Sequence, residues 1–274
     1  MNNIPQQGFY FDGSLNKFGK PKHDYFYDGK LMTGVTSVLG IIGGDKAQNL
    51  IQWAADLAAI AGLEAEQIIG IKAEYDAIQK IEDWKEKKKA KEELDKKYPL
   101  YHEARTTHNK KKEEAGAKGT NVHAEIEKYI KLMISDQDGI AHEINGYENK
   151  QFENFVSWAF KNRVKFLESE KKIYSTEWFC AGTADFTCEI DGKRFVGDIK
   201  TGGVYDRIPF FQTAAYRKML IEMGEKDYDG SCVINIKKDG KFDETRDVMW
   251  SYDYQTDLDG FLAALKIYRI MRNY

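Results

Sequence analysis

Three residues of this sequence have side chains that could carry out hydrolytic chemistry together: Asp185, Asp198 and Lys200. Two carboxylates held side by side repel each other, and they persist where a cation lies between them or where one keeps a proton. A hard divalent cation such as Mg²⁺ prefers carboxylate oxygens and keeps some of its waters. A neighbouring lysine can orient or deprotonate one of those waters. These residue types therefore predict a site for metal-assisted hydrolysis of a phosphodiester.

The element that must position these side chains is a predicted β-hairpin from Gly182 to Thr201, GTADFTCEIDGKRFVGDIKT. The dipeptide Asp191-Gly192 favours a two-residue type I′ turn. Counting outward from that turn along both strands brings Asp185 opposite Asp198, and opposed residues point to the same face of a sheet. Lys200, two residues beyond Asp198, shares that face. An ordinary exposed hairpin could also carry these frequent residue types, so two further segments matter.

The first of these segments begins at Gly119, GTNVHAEIEKYIKLM, and is predicted to open a helix with one buried apolar stripe. His123 and Glu127, four residues apart, lie on a neighbouring face of that helix. His123 falls in the predicted first turn, where a side chain can reach beyond the helix end. Neutral imidazole suits Mn²⁺ as well as borderline metals. A single histidine is more often a satisfied surface or core residue, but together with Asp185, Asp198 and Lys200 further along the chain a metal ligand is favoured.

The second segment runs from Asp206 to Met223, and it is predicted to be a helix from about Pro209. Gln212 and Tyr216 are four residues apart, so they share a face of that helix. As a helix pattern alone this pair is not specific. Its position shortly after Lys200 makes it informative.

Taken in order, these residues resemble the PD-(D/E)XK nuclease superfamily. Asp185 matches the first acid and Asp198-Ile199-Lys200 matches the (D/E)-x-K element, while Ala184 stands where the family's name has proline. The histidine pattern and the Q-x-x-x-Y pattern resemble the RecB-type branch. The order TSVLGII…LIQWAADLA near the N-terminus resembles phage-encoded and mitochondrial-type exonucleases of the same superfamily.

The resemblance implies a metal-dependent DNA exonuclease that acts on single strands or free ends in DNA recombination, repair or phage DNA processing. In that family the ion is Mg²⁺ or Mn²⁺, and here His123, Asp185 and Asp198 would hold it, with the Ile199 carbonyl adding an oxygen. Lys200 would help to activate water for in-line attack on phosphorus. A recombination or replication protein is an expected partner.

The resemblance also implies further site residues. Gln212 and Tyr216 would hold the substrate backbone against the catalytic face. Glu177, on the strand expected before the hairpin, and Glu127 are additional candidates for the metal shell, and an exposed strand residue is an equal reading of Glu177.

Two alternatives to an exonuclease remain open. One is a structure-specific or restriction-type endonuclease. The other, from a different functional class, is a non-catalytic nucleic-acid-binding module with the same fold. The intact Asp-Asp-Lys set argues against the binding module.

The predicted fold class is α/β, with a mixed central β-sheet flanked by helices, a restriction-endonuclease-like core and a helical N-terminal lobe. We expect one nuclease domain over residues 1–274, in which residues 1–118 supply N-terminal strands and the helical lobe and residues 119–274 form the core. Residues 80–118 contain 13 Lys or Arg and 9 Asp or Glu, a local charge of +4 in a chain of net charge −3. Such a segment can steer a polyanion, or it can simply be a solvated surface.

The pattern of apolar residues predicts the bounds of the other elements. Helices are expected from Asp45 to about Ala61, over Ala65 to Tyr98 as one or two pieces, over Leu100 to Glu114 after Pro99, over Tyr147 to Ser169, and over Thr256 to Arg272. Strands are expected around Gly8–Phe11 and Tyr25–Tyr27, and over Ile173 to Cys180, Ser231 to Lys237 and Asp247 to Tyr252.

Other features of the sequence exclude some classes of protein. The segment from Gly13 to Lys20 has the wrong glycine spacing for a phosphate-binding loop, so no nucleotide cofactor is expected. Cys180, Cys188 and Cys232 lack CxxC spacing and cannot supply a four-cysteine iron–sulfur cluster, so none is expected. No secretory signal or membrane span is visible, and we expect a cytoplasmic protein of a bacterial or phage-infected cell.

Overall fold

A computed structural model of the chain describes residues 7–16, 19, 21–43, 65–136, 138–143, 149–202, 204 and 206–272, with only the backbone described for residues 43, 65–69, 104–121 and 136. The helix predicted between Asp45 and Ala61 lies outside the described residues. The chain divides into two compact units, one formed by Met1–Gly43 with Gly119–Tyr274 and the other by Gly44–Lys118.

The described strands and helices are numbered here in chain order. The strands are β1 (Phe9–Asp12), β2 (Asp24–Tyr27), β3 (Lys30–Leu31), β4 (Thr33–Gly34), β5 (Lys165–Ser175), β6 (Cys180–Ile190), β7 (Lys193–Lys200), β8 (Gly230–Asn235) and β9 (Val248–Ser251). The helices are α1 (Val35–Gly43), α2 (Ala65–Gln79), α3 (Trp84–Lys97), α4 (Pro99–Asp136), α5 (Lys150–Lys161), α6 (Ile208–Glu222), α7 (Glu244–Asp247) and α8 (Tyr254–Arg272).

The larger unit contains a six-stranded mixed sheet and a three-stranded sheet of β1, β2 and β3. In the six-stranded sheet β4 is parallel to β6 and β7 is parallel to β8, whereas the β5–β6, β6–β7 and β8–β9 pairs are antiparallel. Helices pack on both faces of it. The predicted α/β class with a mixed sheet flanked by helices is therefore confirmed.

Strand β6 makes the sheet fork. Along one edge β6 pairs with β5 over almost its whole length, from Cys180 to Glu189. The two other partners of β6 must lie on its opposite edge, where β4 pairs with Cys180 and Ala181 and β7 pairs from Phe186 onward. Among the described strands, none pairs with residues 182–185 on that second edge. A gap therefore opens between β4 and β7, and Asp185 lies in it.

The two faces of the sheet have separate cores. On one face the part of α4 from Val122 onward and helix α5 pack against Phe195 and Ile199 of β7. On the other face α1, α6 and α8 pack against Val196 of the same strand. Since side chains alternate along a strand, Asp198 and Lys200 lie on the Val196 side and face α6.

The predicted hairpin is confirmed in turn and in register. Asp191 and Gly192 have φ values of 50° and 74°, the left-handed conformation that a type I′ turn requires at both positions. Ile190 pairs with Lys193 and the ladder continues outward to the pair of Phe186 with Gly197. The closing elements β8, β9 and α8 also lie where the sequence predicts them.

The prediction that a helix opens at Gly119 is wrong. Helix α4 is continuous from Pro99 to Asp136, so His123 lies in its interior and not in a first turn. Pro99 is tolerated because the first helical residue donates no intrahelical bond. A glycine costs a helix only about 1 kcal/mol relative to alanine, which does not suffice to end it.

The predicted helix from Tyr147 to Ser169 is wrong in its second half. Helix α5 ends at Lys161, and Arg163 follows with a φ of 49°, in the left-handed conformation that closes many helices. The chain then enters β5, which was predicted to begin only at Ile173. The strand expected up to Cys180 is also wrong in its end, because the chain turns after Ser175 and Glu177 is exposed in that turn.

The smaller unit contains α2 and α3, which confirms two helices within residues 65–98. Its core consists of Ile71, Ile78, Leu94 and Tyr101. Glu74 of α2 accepts hydrogen bonds from Lys97 Nζ at 2.6 Å and from the Tyr98 hydroxyl at 3.0 Å. None of the helices described, in either unit, has the length and apolar character needed to cross a membrane.

The three cysteines are buried and free, and they pack as small apolar residues.

Gly197 sets how closely β6 and β7 can approach. A Cβ atom built there would lie 2.1 Å from Cζ of Phe186, which is the ring directly across the ladder. We expect Gly197→Ala to destabilise the protein by about 1–3 kcal/mol, because the buried ring cannot move without disturbing the core. Denaturant unfolding measures the difference. Gly202→Ala is the control, since no atom lies within 4 Å of its Cβ position, and equal midpoints for both variants would contradict the prediction.

Candidate active site

Asp185 is held beside β7 by a backbone hydrogen bond. The β6–β7 ladder stops at the pair of Phe186 with Gly197. Beyond it the Oδ2 atom of Asp185 accepts the Ile199 N–H at 2.8 Å, so the carboxylate takes the place of a backbone partner. Burial raises the pKa of Asp185 above its ordinary value, and the charge of Asp198 raises it further. The two carboxylates therefore lie close enough to repel each other, as expected for residues on opposed strand positions.

Lys200 forms an ion pair with the buried carboxylate of Asp198. Asp198 is only 1% exposed, and Lys200 Nζ donates to its Oδ1 at 2.8 Å while lying 2.7 Å from Oδ2. The Oδ2 atom accepts no hydrogen bond with good geometry from the described residues. Burial acts to lower the pKa of Lys200, but the charges of Asp198 and Asp185 outweigh burial and the pKa rises. Lys200 is therefore a stable ammonium in this arrangement.

Helix α6 supports Lys200 from the same face of the sheet. Lys200 Nζ donates to Gln212 Oε1 at 3.2 Å, and Gln212 Nε2 donates to the Tyr216 hydroxyl at 3.2 Å. The predicted sharing of one helix face by Gln212 and Tyr216 is confirmed. The pair thus holds the lysine through a chain of two hydrogen bonds.

Tyr216 lies against β6 because residue 182 is a glycine. A Cβ atom at Gly182 would lie 2.5 Å from Cε1 of the Tyr216 ring. Burial raises the pKa of Tyr216 well above its ordinary value, and the charges of Asp185 and Asp198 add to that rise. The hydroxyl is therefore neutral and able to donate.

His123 and Glu127 lie on α4, on the same face and one turn apart. Burial lowers the pKa of His123, the charge of Asp198 partly offsets this effect, and the charge of Lys200 lowers the pKa further. The imidazole is therefore neutral near neutral pH. Among the described residues, no hydrogen bond or ion pair joins His123 to either carboxylate. Glu127 forms an ion pair with Lys131.

Glu170 is a site residue that the sequence analysis missed. In the β5–β6 register Ser169 pairs with Phe186 and Lys171 with Ala184, which places Glu170 opposite Asp185. Burial raises the pKa of Glu170. The predicted helix extends to Ser169 and the predicted strand begins only at Ile173. The sequence therefore did not predict that Glu170 lies on a strand opposite Asp185. Glu177, the acid predicted for this strand, is not among the described contacts of the site.

A cavity of about 570 Å³ opens beside these residues. Asp185, Glu170, Gln212 and Tyr216 line it on the side of the sheet, and residues of β2, β3, β4, α1 and α8 complete its wall. Its volume lies within the range of small-molecule binding sites.

No family model and no curated protein matches the chain. The function therefore has to be inferred from the chemistry of this site.

The donor atoms at the site suit a hard divalent cation, although they do not form a closed ligand set. Among the described side chains, no group of three or more His, Cys, Asp or Glu lies close enough together to hold a metal ion. Lys200 contacts both oxygens of Asp198 and supplies the positive charge there. The charge of Asp198 still raises the pKa of Asp185, so a further cation between the two carboxylates would relieve their repulsion.

Metal binding should stabilise the fold. We expect Mg²⁺ or Mn²⁺ to raise the free energy of unfolding by mass action, by about 1.4 kcal/mol when the free ion is at ten times its Kd, and so to raise the unfolding temperature. Asp198→Asn should abolish this shift because it removes a charged ligand. Thermal unfolding with and without the ion measures it. Asp191→Asn is the matched control, since asparagine tolerates the left-handed turn position of the same hairpin. A wild-type protein that does not respond to either ion would contradict the assignment.

Proposed function

We propose that this chain is a metal-dependent DNA exonuclease that hydrolyses phosphodiester bonds, and that its sheet is a restriction-endonuclease-like core. One observation carries the proposal: the fork in the sheet leaves Asp185 in a gap between strands, beside Asp198 and Lys200 on the face that α6 covers. Two carboxylates and an ammonium group, with Asp185 lining a cavity, are suited to metal-assisted phosphoryl transfer.

Each residue has a defined part in the proposed reaction. Asp185, Asp198 and His123 would hold Mg²⁺ or Mn²⁺, together with the Ile199 carbonyl. The bound ion would supply positive charge to the phosphate oxygens and lower the pKa of a water. A neutral His123 has a lone pair to offer, as metal binding requires.

Lys200 would help to activate the attacking water. The charges of Asp198 and Asp185 raise its pKa, so it is an ammonium group before an ion binds to those carboxylates. In this state its ammonium group orients the attacking water or donates to a phosphate oxygen, where it stabilises negative charge. Gln212 is a positioning residue, because its amide oxygen holds Lys200 Nζ, and Tyr216 in turn holds Gln212.

DNA as the substrate is supported by charge. The chain as a whole is acidic, but residues 80–118 carry a local +4, which attracts a polyanion. Single strands or free ends, in recombination, repair or phage DNA processing, remain the proposed substrates. A protein of recombination or replication remains the proposed partner.

The two alternatives give different products from the same assay. An exonuclease degrades linear DNA and leaves circles intact, a structure-specific or restriction-type endonuclease nicks circles, and a binding module cleaves neither. Linear and circular DNA incubated with Mg²⁺ or Mn²⁺, followed by electrophoresis, distinguish all three. Cleavage of neither substrate with either metal would refute the proposed activity.

Lys200 can be separated from metal binding by substitution. We expect Lys200→Ala to lower the rate of DNA cleavage by at least about 100-fold, because it removes a charge that acts in the transition state. The metal-dependent thermal shift should remain. Lys193→Ala, an exposed lysine at the other end of β7, is the matched control and should keep full activity. Full activity in Lys200→Ala would rule out the mechanism.

His123 should show the opposite behaviour. We expect His123→Ala to weaken metal binding, so that cleavage is lost at low metal concentration and returns in part at high Mn²⁺. A titration of the cleavage rate against Mn²⁺ gives the apparent affinity for the ion. An unchanged apparent affinity would show that His123 is a structural residue of α4.

A further inference from the structure

The cavity beside the catalytic carboxylates extends well beyond the residues that the proposed reaction uses. From Asp185 it reaches the three-stranded sheet, where Asp24 and Tyr25 lie, and the first turn of α1 with Thr36 and Ser37. The Tyr25 hydroxyl and the Thr183 Oγ1 atom are 2.8 Å apart and join the small sheet to the unpaired edge of β6. The small sheet is therefore attached to the site, and its side chains form one wall of the cavity.

The charge of this cavity is negative. Three carboxylates line it, those of Asp24, Glu170 and Asp185, and no lysine or arginine does so among the residues that the structure describes. Even if a bound cation used Asp185 and Lys172, 3.6 Å from Glu170, balanced that second charge, the Asp24 carboxylate would remain. The first turn of α1 offers a partial charge of only about +0.5. The wall thus opposes a phosphate group.

The remaining lining suits a neutral group that is both flat and polar. Tyr25, Tyr216 and Tyr268 contribute rings, and Thr36, Ser37 and Thr183 contribute hydroxyls. Rings pack against a nucleobase, and hydroxyls donate to or accept from a base or a sugar. A nucleoside without its phosphate has this chemistry.

We propose that the cavity binds the terminal nucleoside of a DNA strand, with a free hydroxyl at that end, and excludes a terminal phosphate. This inference rests on the proposed nuclease function, and it adds which chemical group the strand carries at the bound end. The phosphodiester bond next to that nucleoside then lies at Asp185, Asp198 and Lys200. A strand that continued through the cavity would bring its next phosphate among the carboxylates, so binding at an end is favoured over binding in the middle of a strand.

The experiment compares oligonucleotides of one sequence that differ only at their ends: hydroxyl at both ends, a 5′-phosphate only, or a 3′-phosphate only. Initial cleavage rates are measured with Mn²⁺, together with a circular single strand of the same composition. We expect one of the two terminal phosphates to slow cleavage at least 10-fold and the circle to resist cleavage.

Two variants test whether the cavity causes this discrimination. Asp24→Asn removes a negative charge from the wall, and Ser37→Lys adds a positive charge to it, so both should reduce the ratio of the hydroxyl-end rate to the phosphate-end rate by severalfold. Asp28→Asn is the matched control. It removes an equal charge from the turn between β2 and β3, outside the cavity lining, and should keep the wild-type ratio.

The outcomes separate this inference from the proposed function. Cleavage of the linear strands that is indifferent to both terminal phosphates, with the circle intact, would overturn the inference and leave the proposed exonuclease in place. Equal cleavage of the circle would overturn the inference and identify the alternative endonuclease. Discrimination that neither Asp24→Asn nor Ser37→Lys changes would also overturn it. Absence of cleavage of every substrate would overturn the proposed function itself. Discrimination that both variants reduce, with Asp28→Asn unchanged, would establish the terminal-nucleoside site.

Discussion

The repulsion between Asp185 and Asp198 is the constraint on which the site depends. Two carboxylates close together and removed from water cannot both be ionised unless positive charge or hydrogen-bond donors surround them. The Ile199 N–H serves Asp185, and the Lys200 ammonium serves Asp198. Gln212 and Tyr216 then fix the ammonium from α6. A backbone amide, a lysine and one helix face are thus committed to balancing two negative charges.

The fork in the sheet explains why these charges can meet at all. In a continuous sheet the edge of β6 would be filled by a strand, and the backbone would leave little room for an approaching substrate. Here β4 and β7 divide that edge between them. The carboxylate of Asp185 takes over the hydrogen bond that a strand would have made. The arrangement of the two carboxylates and the interruption of the sheet are therefore one feature.

The parts of the site that follow local rules could be predicted from the sequence. Asp191-Gly192 specifies the turn, the turn specifies the register, and the register brings Asp185, Asp198 and Lys200 together. The four-residue spacing of Gln212 and Tyr216 likewise needs only a helix. Such relations involve neighbours in the chain and do not depend on tertiary packing.

The errors arose where no local signal marks a boundary. Val164 and Leu167 continue the helical spacing of α5, and the helix closes with Arg163 in a left-handed conformation where glycine would have been the usual signal. The start of β5 was therefore missed, and with it Glu170. At Gly119 the opposite error occurred: a helix boundary was predicted where the helix continues. One glycine cannot end a helix that tertiary packing supports from Val122 onward.

The contact between Gly182 and Tyr216 couples two positions that are far apart in the chain. The ring occupies the space that any side chain on residue 182 would need. A substitution at one position therefore depends on the residue at the other. A larger side chain fits at residue 182 only if residue 216 is smaller than tyrosine, and a smaller residue 216 no longer hydrogen-bonds to Gln212. A substitution that relieves the contact at either position therefore removes the support of Gln212, and Lys200 then keeps only its contacts with Asp198.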